Sequence, residues 1–94
     1  MMTYVCLGTN DLGRAGRFYD ATLGALGYQR CAPSNESDPD IWVGWGQAEP
    51  SFWLCRPFDG RPATIGNGSM VAFNAKAWQE VDAFHAAALS HGGR

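Results

Sequence analysis

The sequence predicts an α+β domain, and three observations carry that expectation. Runs of β-branched and aromatic residues bounded by Gly, Pro or Asn recur along the chain, which is strand patterning. Two other segments repeat their apolar residues at helical spacing. Twelve Gly and five Pro in 94 residues supply the turns for many short strands and argue against a helix bundle.

The elements follow in order. Residues 3–7 read as a first strand, ended by Gly8 and Asn10. Asn10 is the expected helix N-cap, with Asp11 at the positive end of the helix dipole. Leu12, Ala15, Phe18, Tyr19, Thr22, Leu23 and Leu26 then form one apolar helix face, and Gly27 is the expected C-cap. Residues 28–32 read as a second strand, the polar stretch 33–39 as an exposed turn, and residues 40–45 as a third strand. A turn at 47–50 leads to a fourth strand, residues 51–56, closed by Pro57. Residues 58–68 (FDGRPATIGNG) have no periodicity and read as a linker. Residues 69–73 read as a fifth strand. Asn74 is the expected cap of a second helix whose apolar face is Trp78, Val81, Phe84, Ala88 and Leu89, ended by Gly92 and Gly93. The order is β-α-β-β-β, linker, β-α, so the second half begins to repeat the first.

Composition narrows the function. The length allows one domain at most, burying somewhat over about 60% of its unfolded surface. Four Trp, five Phe and three Tyr are a heavy aromatic load that excludes disorder. The net charge is −2 and the basic residues are scattered: Arg14, Arg17, Arg30, Arg56 and Arg61 form no run. The basic stripe that nucleic-acid binding needs is therefore missing. No stretch approaches the roughly 20 apolar residues of a membrane span, and the N-terminal residues lack the basic start of a signal peptide. Cys6, Cys31 and Cys55 are odd in number and form no CxxC pair. This predicts a soluble, reducing, cytoplasmic setting.

Residues 10–28 (NDLGRAGRFYDATLGALGY) resemble the first-helix motif of the glyoxalase / bleomycin-resistance / extradiol dioxygenase (vicinal oxygen chelate) superfamily. Asp11, Leu12, Ala15, Phe18, Tyr19, Leu23 and Gly27 are the matching positions. Residues 51–73 (SFWLCRPFDGRPATIGNGSMVAF) and 81–89 (VDAFHAAAL) are similar to a bacterial subgroup of that superfamily, so the resemblance covers nearly the whole chain. It implies two βαβββ modules whose curved mixed sheets form a half-barrel cup, with helices outside and metal and substrate inside. On this reading one domain spans 1–94: a complete module at 1–57, the linker at 58–68 and a partial second module at 69–94. Completing the second module would take three more strands, on the order of 25–30 residues. The metal enzymes of the superfamily place His or Gln on the first strand, Glu on the fourth, His or Glu on the fifth and Glu on the eighth. The matching positions here are Tyr4, Trp53 and Met70, and the eighth strand is absent.

Strand alternation assigns the faces. If Val5, Leu7, Phe52, Leu54, Val71 and Phe73 face the helices, then Tyr4, Cys6, Trp53, Cys55, Met70 and Ala72 face the cup, bordered by Trp42 or Trp45. Tyr4, Cys6, Trp42, Trp53, Cys55 and Met70 are the candidate ligand-binding residues, and ordinary core packing is the competing account of Tyr4, Trp53 and Met70. Two thiols are too few for the imidazoles, carboxylates or thiolates that a transition metal requires, so neither metal nor other cofactor is expected. His85 and His91 are not spaced to share a helix face and read as solvated or capping. Asp59 and Arg61 flank a turn and could form a weak surface pair. Gly66 and Gly68 do not open a helix after a strand, so no phosphate cradle follows.

The resulting expectation is a metal-free binder of a small, partly apolar or aromatic molecule. The resemblance supplies sequestration by bleomycin-resistance proteins as its model. The alternatives are a metal-dependent lyase, isomerase or dioxygenase completed by missing residues or another chain, and a degraded member that only folds and dimerises. An open edge on the fifth strand predicts a homodimer, with exchange of residues 69–93 through the 58–68 linker as one route.

Overall fold

Leu12, Leu23, Leu26, Val43, Trp45, Phe52 and Leu54 form one buried cluster between a helix and one face of a sheet. The computed structural model describes residues 4–31 and 42–94. Its elements are β1 (Val5–Gly8), α1 (Leu12–Gly24), β2 (Gln29–Arg30), β3 (Val43–Gly46), β4 (Pro50–Cys55) and α2 (Trp78–Ser90). The sheet order is β1-β4-β3-β2. β1 runs parallel to β4, and the other neighbours are antiparallel. A parallel pair needs a crossover, which α1 begins, and that connection lays α1 over one sheet face.

The first helix forms where its apolar spacing predicts. Leu12, Thr22 and Leu23 are buried, with Ala15 and Tyr19 partly buried beside them. Thr22 is tolerated there because its hydroxyl donates to the Phe18 carbonyl at 3.0 Å. The N-cap is Asp11, not Asn10: the Asp11 carboxylate accepts the Arg14 N–H at 3.0 Å. Asn10 has a longer reach. Its amide donates to the Ala63 carbonyl at 3.0 Å and accepts the Ala63 N–H at 2.5 Å. An amide carries both donor and acceptor, so Asn10 can mimic a strand partner for the connection at 58–68 where a carboxylate could not. At the other end Tyr28 N–H returns to Leu23 C=O at 2.9 Å and Gly27 N–H to Gly24 C=O at 3.0 Å. Gly27, at φ 86°, supplies the left-handed residue that this double return requires.

The strands are shorter or shifted relative to expectation. The second is confined to Gln29–Arg30, the third is Val43–Gly46 and the fourth starts at Pro50. The exposed turn expected at 33–39 and the start of the third strand lie outside the described residues. Around the sheet corner, Asp20 on α1 gathers three donors. Arg30 Nε and Nη2 reach its two oxygens at 3.0 and 2.7 Å, and Trp45 Nε1 donates to Oδ1 at 2.9 Å. The Arg30 guanidinium also lies 5.3 Å from the Trp45 ring centre.

The expected fifth strand does not form: residues 69–73 have no strand assignment and no ladder partner. Their apolar content goes into tertiary packing instead. Phe73 meets Phe52 edge-on at 5.2 Å and Phe84 of α2 at 6.2 Å. Backbone alternation has no ladder to enforce it here, so Met70 stays 93% exposed. α2 starts after Ala77 without a side-chain cap, not at Asn74. Glu80 reaches back to accept the Lys76 N–H at 2.6 Å, which ties off the first turn. No residue of α2 is buried. Trp78, Val81 and Leu89 of its expected apolar face are exposed, whereas Phe84 packs on the core cluster.

Candidate functional site

Alternation along β1 and β4 places Val5, Leu7, Phe52 and Leu54 toward the helices and leaves Cys6, Trp53 and Cys55 on the opposite face. On the third strand Val43 and Trp45 go into the core. Gly44 therefore belongs to the opposite face, directly paired with Trp53. A β-carbon on Gly44 would lie 2.9 Å from Trp53 Cε3, so the indole packs directly against a glycine backbone. Glycine is required at this position because the ring occupies the space of a side chain.

Trp42 stands edge-on to Trp53, with ring centres 6.2 Å apart, and tilts against Phe58 at 5.0 Å. These rings make an aromatic wall. Phe58 also lines a hollow of about 410 Å³ bounded by Cys6, Gly8, Cys55, Pro57, Asp59, Pro62, Ala63 and Thr64. The Asn10–Ala63 pair of hydrogen bonds pins the far side of this hollow to the start of α1. Asp59 stabilises its near turn by accepting the Arg61 backbone N–H at 2.9 Å, in place of the ion pair expected with the Arg61 side chain.

The two thiols meet on the floor of the hollow. Cys6 Sγ and Cys55 Sγ are 3.3 Å apart, and both cysteines are free. Burial, together with the neighbouring Cys55 sulfur, pushes the Cys6 thiol from its ordinary value of 9.0 up to about 12. Cys6 thus keeps its proton at neutral pH.

The expected site residues divide clearly. Cys6, Cys55, Trp53 and Trp42 come together on one face, and Trp45 is core. Tyr4 is 53% exposed just before β1, and Met70 stands in solvent without joining the others. Phe58, Gly44 and Asn10 are the contributors that sequence reasoning missed. Phe58 sits in an aperiodic connection, and nothing local links Gly44 to Trp53 before the β3–β4 register is known.

The donor set does not fit a transition metal. Among the described residues no group of three or more His, Cys, Asp or Glu comes together. The face offers two thiols, one holding its proton, beside an indole that has no lone pair to give. His85 is exposed, and His91 Nδ1 donates to the Ala87 carbonyl at 2.9 Å, a helix-end role. A separate hollow of about 470 Å³ lies on the helix side, touching Asp11, Arg14, Tyr19 and His91. The Asp11 carboxylate and His91 Nδ1 there are already engaged at helix ends.

No described helix is long and apolar enough to cross a membrane. Comparison with protein-family models gives no match, and neither does comparison with curated proteins. Among solved structures, a glyoxalase/bleomycin resistance protein from Albidiferax ferrireducens T118 superposes with a TM-score of 0.82. It is 36% identical, over 98% of this chain and 70% of that one. Identity at that level, over that share of both chains and on the same βαβββ framework, goes beyond a shared topology: the chain belongs to the glyoxalase/bleomycin resistance protein family.

Proposed function

We propose that the chain is a small-molecule binding protein of its family, one that takes a partly apolar or aromatic ligand on the sheet face opposite the helices and uses no metal. The observation that carries this reading is the seating of Trp53 on Gly44, flanked by Trp42 and Phe58. A ring held in place by the backbone offers a stacking surface whose ordering cost is already met before a ligand arrives. The hollow beside it, floored by Cys6 and Cys55 and edged by Asp59 and Thr64, adds polar groups next to the apolar rings, a combination common in ligand sites. Bleomycin resistance proteins share the family with the A. ferrireducens relative, and the poor donor set among the described residues argues against the metal-dependent alternative.

The same reading makes the chain a homodimer in a reducing compartment such as the cytoplasm. β1 is an edge strand with one side unpaired, and Phe58, Ile65, Met70 and Trp78 are each more than four-fifths exposed. The other edge, β2, is only two residues long, so β1 is the longer open edge, and it lies outside the segment at 69–73. That segment packs onto Phe52 of its own chain, so pairing through β1 requires no exchange of segments.

The test is tryptophan fluorescence against a panel of aromatic and fused-ring compounds, with elemental analysis of the same protein. Saturable quenching that is lost in Trp53→Ala, with substoichiometric metal, is the expected result. A full equivalent of zinc, iron, nickel or manganese would replace this reading with a metal-dependent lyase, isomerase or dioxygenase. Light scattering across a concentration series tests the dimer, and a monomer at high micromolar concentration rejects it.

A further inference from the structure

We infer that Cys6 and Cys55 form an oxidation site, a dithiol that a small peroxide converts to an intramolecular disulfide between β1 and β4. This inference does not depend on what the aromatic face binds. Three observations carry it. The sulfurs are already 3.3 Å apart, on the same face of two hydrogen-bonded strands. Both cysteines line one hollow of about 410 Å³, open to a molecule the size of hydrogen peroxide although Cys55 itself is buried. β1 is four residues long at the sheet edge, so it can move the roughly 1.2 Å by which the sulfurs must close. Cys31 is exposed and forms no comparable pair with either of them among the described residues.

The chemistry balances with the peroxide as oxidant. One of the two sulfurs attacks a peroxide oxygen and becomes a sulfenic acid as the O–O bond breaks, and the hydroxide released takes up that thiol's proton and leaves as water. The other, already 3.3 Å away, is the resolving thiol. Its sulfur attacks the sulfenic sulfur, the S–O bond breaks, and its proton departs with hydroxide as a second water. Two thiols have lost two electrons and one peroxide has become two waters. An intramolecular partner at contact distance makes the second step fast relative to any encounter between two chains.

The experiment treats the full chain with one equivalent of hydrogen peroxide, blocks the remaining thiols and maps peptides by mass spectrometry without reduction. The expected product links the peptides containing Cys6 and Cys55, leaves Cys31 alkylated and has lost two hydrogen masses. It should return to three free thiols with dithiothreitol. Cys6→Ser and Cys55→Ser should each abolish the link, and the variant that keeps the attacked sulfur should trap it as a sulfenic acid detectable with dimedone. Cys31→Ser should form the link as readily as the wild type, which keeps the test valid if the Cys6 variant folds poorly. The inference is overturned if Cys31 is consumed first, if the products are chain-to-chain dimers through Cys31, or if Cys6 and Cys55 are both recovered alkylated after peroxide treatment.

Discussion

The Trp53 indole rests on Gly44 so closely that a β-carbon there would come within 2.9 Å of the ring. The two residues face each other across the β3–β4 ladder, so the contact belongs to the sheet register and not to a mobile loop. The ring fills the space a side chain at Gly44 would take, which holds a large apolar surface against the sheet.

Gly44→Ala should therefore lift or rotate Trp53. We expect a loss of stability of about 1–3 kcal/mol, the usual cost of overpacking a close contact. A changed Trp53 emission and weakened binding of aromatic ligands should accompany it. Denaturant unfolding and the fluorescence panel check both. Unchanged affinity in a folded Gly44→Ala protein would show that the seating of Trp53 on Gly44 is not what a ligand uses.

Asp20 accepts from both Arg30 and Trp45, and Trp45 is 1% exposed. Asp20→Ala leaves the indole N–H of a core tryptophan without its acceptor, which costs about 1–3 kcal/mol. The Asp20–Arg30 pair itself is partly exposed and adds little. Asp20→Asn keeps an acceptor for Trp45 and should recover most of the loss, whereas Arg30→Ala should cost less than Asp20→Ala. Equal effects from Asp20→Ala and Arg30→Ala in urea melts would assign the stabilisation to the ion pair instead.

Within residues 69–73 the two apolar side chains differ sharply. Met70 is 93% exposed, while Phe73 packs against Phe52 and Phe84. Met70→Ser should change stability by less than about 0.5 kcal/mol, as surface substitutions do. Phe73→Ala should cost on the order of 2 kcal/mol, below the range for a fully buried phenylalanine because Phe73 is only partly covered. Thermal unfolding of the two variants side by side decides it, and a destabilising Met70→Ser would mean that this methionine is covered by a partner in solution.

The same segment marks where the sequence stopped being informative. Residues with their own local signature were legible: the spacing of Leu12, Thr22 and Leu23, the left-handed Gly27, and the inward turn of Phe52 and Leu54 on a paired strand. Cys6, Trp53 and Cys55 were legible as one face because alternation holds wherever a ladder enforces it. Met70 was not, since 69–73 has strand composition but no ladder, and period-2 reasoning fails without one. Asn10 reads as a cap by type, yet its partner Ala63 is 53 positions away and only the folded chain brings it near. Gly44 beneath Trp53 depends on register, which composition does not encode.

The raised Cys6 thiol makes stability depend on pH in a definite direction. In the unfolded chain this group ionises near its ordinary value of 9.0, and in the folded chain near 12. Between those values the folded state holds a proton that the unfolded state has released, so the unfolding free energy falls as pH rises. The contribution is fully present below pH 9 and is lost progressively toward 12. Tyr19 acts in the same sense from a higher starting point, because burial raises its phenol above the ordinary value of 10.0. Wild-type melting temperatures measured under reducing conditions should therefore decline from about pH 9 upward. Cys6→Ala should flatten the first part of that decline and leave the part belonging to Tyr19. Tyr19→Phe should do the reverse, retaining the ring that packs against Phe52 at 4.7 Å while removing the ionisable oxygen. If Cys6→Ala melts with an unchanged alkaline slope, the thiol pair is more open to water than the 3.3 Å sulfur contact and the buried Cys55 indicate.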